Sequence, residues 1–225
     1  MSHQLRVLFA VGLLLPLLAT AQDTLETPAE KDSAFIEIAG FGATESGHLP
    51  FWLHTNQWGT MPKSGNGGRI RAGWEGSYNL AQWSRKSGAK IIGGIEVVEN
   101  ITKDAGFLLP QAYVGLQAGP FEFFVGRKKQ QVGLADSTLG SGSYAMSGNA
   151  LPNFRYQFGF PKFTNVPYTR GWLQFKATYS DGFMDKDRPV VTNLRLHQKQ
   201  FYLRLGSPEG WLSVYGGINH QAQWG

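Results

Sequence analysis

The residues best suited to chemistry form a sugar-binding mixture rather than a catalytic set. Trp52, His54, Asn56, Gln57 and Trp58 fall close together in the chain. Aromatic rings lie against the C–H faces of sugars, while amides and imidazoles bond the hydroxyls. Arg69, Arg71, Arg127, Lys128 and Lys129 add positive charge that would attract an acidic polysaccharide. Plainer roles stay open for the same residues. Trp52 and Trp58 would serve as aromatics of a membrane interface, and Lys128–Lys129 as a charged strand end.

Other constellations fall short of a mechanism. Gly140-Ser-Gly-Ser and Ser147-Gly-Asn are loop strings, and no nucleophile elbow joins a strand to a helix. Gly65-Asn-Gly-Gly68 lacks the Lys-Ser/Thr that completes a phosphate cradle. The histidines His3, His48, His54, His197 and His220 have no metal-ligand spacing. Glu96 and Glu99 sit on opposite faces of one expected strand, which spoils them as a hydrolytic pair. Asp181, Asp185 and Asp187 form a solvated loop run or, at most, a poor calcium site. We therefore expect no enzyme, no cofactor and no metal.

The elements that position these residues are strands. Ile70, Ala72, Trp74, Gly76, Tyr78 and Leu80 alternate with Arg69, Arg71, Gly73, Glu75, Ser77 and Asn79 over a dozen positions. The same period of two recurs over 172–180, 201–205 and 212–219. Less regular strands are expected over 34–43, 49–56, 89–99, 111–118 and 121–127, with 155–160 the least distinct. That makes about ten strands and no helix. Tight turns at Gly119-Pro120 and Ser207-Pro208-Glu209-Gly210 contrast with long loops over 57–67, 133–153 and 181–193. Residues 34–56 leave two readings open, one bent strand or partly a plug.

Met1 to Gln22 read as a secretory signal: Arg6, the apolar run from Val7 to Leu18, then Ala19-Thr20-Ala21. We divide the chain into a signal at 1–21, a polar leader at 22–33 and a strand-rich body at 34–225. Cysteine is absent, so no disulfide staples an exported domain together. The charge is mildly basic, 21 Lys and Arg against 16 Asp and Glu, and scattered. A nucleic-acid partner would require a clustered basic face. Glycine, at 29 residues, exceeds the usual share of about 7%, and aromatics reach 13%. Long strands, charged mid-strand positions and aromatics near strand ends (Trp74, Tyr78, Trp83, Trp172, Tyr179, Trp211) favour a transmembrane β-barrel over a soluble sandwich. The expected fold is all-β, an antiparallel barrel of the outer-membrane type, here the front portion of a larger one.

Four strings carry a likeness to a known family. They are Leu49-Pro-Phe-Trp-Leu-His-Thr-Asn-Gln-Trp-Gly59, Gly140-Ser-Gly-Ser-Tyr-Ala-Met-Ser-Gly-Asn-Ala-Leu-Pro152, Leu196-His-Gln-Lys-Gln-Phe-Tyr-Leu-Arg-Leu-Gly206 and Gly217-Ile-Asn-His-Gln-Ala-Gln-Trp-Gly225. In order and spacing the chain resembles the capsule assembly Wzi family of Bacteroidetes-type bacteria over roughly residues 35–225. The resemblance implies an outer-membrane barrel, closed by internal elements, that holds capsular polysaccharide at the cell surface without catalysis. Its expected partners are surface polysaccharide and outer-membrane lipid. A porin-like channel and a secreted β-sandwich glycan binder are the alternatives.

Overall fold

The computed structural model describes residues 32–43, 47–80, 88–102, 106–135, 143, 146–184, 193–207 and 210–225. The expected signal, nearly all of the leader, Trp83, Asp185 and Asp187 lie outside the described residues. The chain forms one antiparallel sheet whose strands pair in sequence order. They are β1 (Ser33–Phe41), β2 (Gly67–Asn79), β3 (Ala89–Ile101), β4 (Gly106–Ala118), β5 (Phe121–Arg127), β6 (Phe154–Asn165), β7 (Leu173–Phe183), β8 (Arg195–Leu205) and β9 (Val214–Trp224). One short helix among the described residues, α1 (Phe51–His54), lies between β1 and β2. Among the described residues β1 and β9 are the two edges.

Among the described residues nine strands stand where ten were expected, because residues 49–56 are not extended. Pro50 opens α1, and Asn56 and Trp58 take left-handed backbone angles, φ 54° and 55°. No ladder continues through such a stretch. Residues 34–56 are therefore not one bent strand: β1 ends at Phe41, and α1 follows before β2. Residues 181–183, expected in a loop, complete β7 instead. Trp74 and Tyr179, expected near strand ends, stand well inside β2 and β7.

Connections separate by rim. By strand direction the links 42–66, 102–105, 128–153 and 184–194 leave from one rim, and the links 80–88, 119–120, 166–172 and 206–213 from the other. Two prolines inside strands mark register shifts. Pro110 lies beside the shift between Glu96 and Val98, and Pro161 lies in the shift between Phe160 and Thr164. A bulge tolerates a residue without an N–H where a regular ladder does not.

The polarity of the sheet is inverted. On one face stand Ile36, Ile38, Ile70, Trp74, Ile95, Val114, Val125, Phe158, Phe201 and Ile218, all substantially exposed. The opposite face carries Arg69, Glu96, Gln111, Arg155, Gln157, Ser180, Gln198 and Gln200, all buried. The usual rule of an apolar interior is reversed for most of the sheet, with Ile92, Val98, Phe124 and Leu196 buried among the polar residues of the covered face. We call these the bare face and the covered face, since residues 128–135 lie across the second.

Glycines on the covered face make room for large neighbours. Gly126 has φ 130°, and a Cβ there would run into the Ala112 carbonyl and the Tyr113 backbone. Gly126→Ala should lower stability by about 1–3 kcal/mol. Gly40→Ala, which meets open space, should change it by less than about 0.5 kcal/mol. Urea unfolding midpoints of both variants check the pair.

Candidate functional site on the covered face and its rim

The strand period brings charged residues from three strands onto one face. Glu37 of β1 stands opposite Arg71 of β2, and Gly73 opposite Glu96 of β3. Arg71 donates from Nε to Glu96 at 2.7 Å and from Nη1 to Glu37 at 3.3 Å, with its guanidinium 4.6 Å from the Phe35 ring. Arg69 donates to Glu37 and reaches Thr60 Oγ1 at 3.5 Å. Tyr113 donates its hydroxyl proton to Glu75.

Residues 128–135 leave β5 and cross this face instead of rising from the rim. Lys128 Nζ bonds Glu122 at 2.7 Å and sits 4.8 Å from the centre of the Tyr113 ring. Lys129 Nζ bonds Glu96 at 2.6 Å, so that one carboxylate serves two cations. Burial, with Arg71 close by, holds the Lys129 ammonium below the usual lysine range, although Glu96 pulls the other way. Gln130 accepts from Gln157 at 2.9 Å and from Arg155 at 3.3 Å. Val132 is buried, and the Gly133 carbonyl accepts from Lys176 of β7 at 2.9 Å. The segment thus spans the face from β3 to β7.

Arg155 is an unusual member of this network. It is 3% exposed and donates to the neutral groups of Gln157, Asn153, Gln130 and the Lys128 carbonyl. The Phe124 ring lies 5.3 Å from its guanidinium. Dipoles and a ring face carry the charge here, helped at longer range by Glu122.

Above the network the rim loops form a cap. Asn149 Oδ1 accepts from the Asn56 backbone at 2.6 Å and from Thr55 Oγ1 at 3.3 Å. Trp58 N–H donates to the Gly148 carbonyl at 2.6 Å. Arg127 Nη1 holds the Pro152 carbonyl at 3.0 Å. Asn100 Nδ2 donates to the Thr60 carbonyl at 2.9 Å, fastening the cap to β3. A left-handed Trp is costly, on the order of 1–3 kcal/mol, and persists only where its surroundings fix it. Phe51 and Trp52 project from this cap, 66% and 73% exposed.

The residues expected to bind glycan therefore fall into two groups. Trp52, His54, Asn56 and Trp58 share the cap, and Arg127 braces it. Arg69 and Arg71 lie below, engaged by Glu37 and Glu96, while Lys128 and Lys129 are engaged by Glu122 and Glu96. The open positive charge expected from these cations is largely matched from within. Glu37, Glu122, Tyr113, Gln130, Gln157 and Arg155 were missed as members of the network. Opposite charges at matching parity on neighbouring strands, Glu37 against Arg69 and Arg71, are the sequence signal that could have found them.

Glu96 and Glu99 face opposite ways, as their spacing implies. Asp181 is not in a loop: it is buried in β7 and bonded to Arg195. Among the described residues no group of His, Asp and Glu could hold a metal ion. No family model matches the chain, and no curated protein or solved structure does so either.

Glu96→Gln strands two cations at once, although Arg71 keeps Glu37. The expected loss of stability is roughly 3 kcal/mol, the low end for breaking a buried pair. Adding Lys129→Met should recover part of it, because one orphaned charge goes with it. Urea unfolding of the single and double variants measures the coupling, and limited proteolysis within 128–135 reports the loosened segment.

Proposed function

We propose that this protein is an outer-membrane β-barrel of the capsule assembly type that holds surface polysaccharide at its long-loop rim. The observation that carries the proposal is the inverted polarity of the sheet. A band of exposed Ile, Val, Leu and aromatic side chains beside a buried polar face suits a sheet with lipid on one side. Strands of 11–13 residues such as β2, β3 and β7 are long enough to cross a bilayer at a tilt. Exposed aromatics mark both rims: Phe107, Phe154, Phe183 and Trp224 at one, Tyr78, Phe121, Trp172 and Trp211 at the other. Such girdles stand at the headgroups.

On this reading the rim with the long loops faces outward. The cap then offers Phe51 and Trp52 as platforms for sugar faces, with His54, Asn56 and Asn149 beside them. The likeness to the capsule assembly Wzi family and the signal-type start support the same compartment. Residues 128–135 across the covered face favour a filled lumen. A solute channel is the second reading, favoured by the Arg, Glu and Gln side chains that line the same face.

Two measurements test the proposal. The protein should show heat-dependent gel mobility from the membrane fraction. A Phe51→Ala Trp52→Ala variant should retain about tenfold less labelled surface polysaccharide, a loss of about 1.4 kcal/mol. Steady conductance in planar bilayers, with glycan retention unchanged in the variant, would favour the channel.

A further inference from the structure

The bare face is not uniform. Over β1–β5 it is mostly apolar nearly to the long-loop rim, with Ile38, Ile70, Phe107 and Val125 exposed and Glu99 in the row of Ile70 and Phe107. Over β6–β9 the apolar band is cut short. Register sets Tyr156, Asp181 and His197 side by side, then Tyr179, Lys199 and His220 in the next row. Arg195 opens β8 at the rim, its guanidinium 5.0 Å from the Phe183 ring and 5.6 Å from the Trp224 ring. Asp181 accepts from Arg195 at 3.2 Å and lies 3.5 Å from His197 Nδ1. Lys199 lies 6.0 Å over the Tyr179 ring, which stacks at 4.9 Å on Phe158.

Depth makes this arrangement informative. Lys199 stands four residues along β8 from Arg195, about 13 Å at strand rise. A lysine facing hydrocarbon costs about 2–4 kcal/mol at mid-bilayer and little near the interface. Two fixed cations, Arg195 at the rim and Lys199 partway down β8, face one carboxylate here, so the surplus positive charge calls for an anion that reaches from the headgroups down to Lys199. Below them Phe160, Phe201 and Leu203 resume the apolar surface.

We propose that this end of β6–β9 docks the phosphorylated headgroup of an outer-leaflet glycolipid. Arg195 and Lys199 meet the phosphates, Tyr179 and Trp224 meet the sugar faces, and Phe160, Phe201 and Leu203 meet the acyl chains. The proposal rests on the outer-membrane reading above. Charge complementarity at a fixed depth selects a lipid over a second copy of the chain, which would bring the same cations to the contact.

The test uses the full chain in phosphatidylcholine nanodiscs doped with lipid A, with bound lipid counted by native mass spectrometry. Arg195→Gln Lys199→Gln should lower retention about tenfold, and removing the phosphates from lipid A should do the same to the wild type. Lys90→Gln, at the opposite rim on β3, should leave retention unchanged. Equal retention by wild type and double variant, or of phosphorylated and dephosphorylated lipid A, overturns the proposal. A dimer that the double variant dissociates also overturns it, assigning the face to a second copy. Gel mobility of the same samples separates the two failures. Heat-dependent mobility with unchanged retention sinks the lipid site alone, whereas absent heat dependence removes the barrel and this site with it.

Discussion

The Glu96 carboxylate is the point on which the covered face depends. It is 4% exposed and takes Arg71 from β2 on one side and Lys129 from the crossing segment on the other. Arg71 passes the connection to Glu37 on β1, and Lys129 anchors residues that reach as far as Lys176 on β7. A buried charge is tolerated only when paired and hydrogen-bonded. Glu96 therefore fixes where the segment lies, and the segment determines that the face is filled.

From that constraint the inverted polarity follows. A face crowded with Arg, Glu and Gln can be buried only against other polar groups, and residues 128–135 supply them through Lys128, Lys129, Gln130 and the Gly133 carbonyl. Most other apolar residues then take the opposite side of each strand, although Ile92, Val98, Phe124 and Leu196 are buried on the covered face itself. Large side chains on the covered face lie over glycines of the neighbouring strand, as Tyr113 does beside Gly94 and Gly126. Glycine in these strands accommodates close cross-strand packing at the expense of local propensity.

Period-two alternation made most strands legible, and β5 coincides with the expected 121–127. Where the pattern failed, a nameable residue disturbed it. Pro110 and Pro161 hid the front of β4 and the back of β6, because proline argues against a regular ladder. Trp52 and Leu53 lent apolar character to 49–56, although Pro50 and the left-handed Asn56 and Trp58 exclude a strand. The cap residues were found by composition alone. Their partners Gly148 and Asn149 were beyond reach, since long-range loop contacts leave no periodic trace. Arg69 and Arg71 were seen as charges without the carboxylates that meet them, because pairing depends on strand order.

The absence of cysteine from the chain opens the most direct measurement of the central claim, that the bare face meets lipid. Single cysteines placed in turn at positions 70 to 78 of β2, spin-labelled in bilayers, report access to oxygen and to a polar nickel reagent. The account predicts strict alternation, with even positions open to oxygen and closed to nickel, and odd positions closed to oxygen. Even positions open to the polar reagent would contradict it and place that face in water.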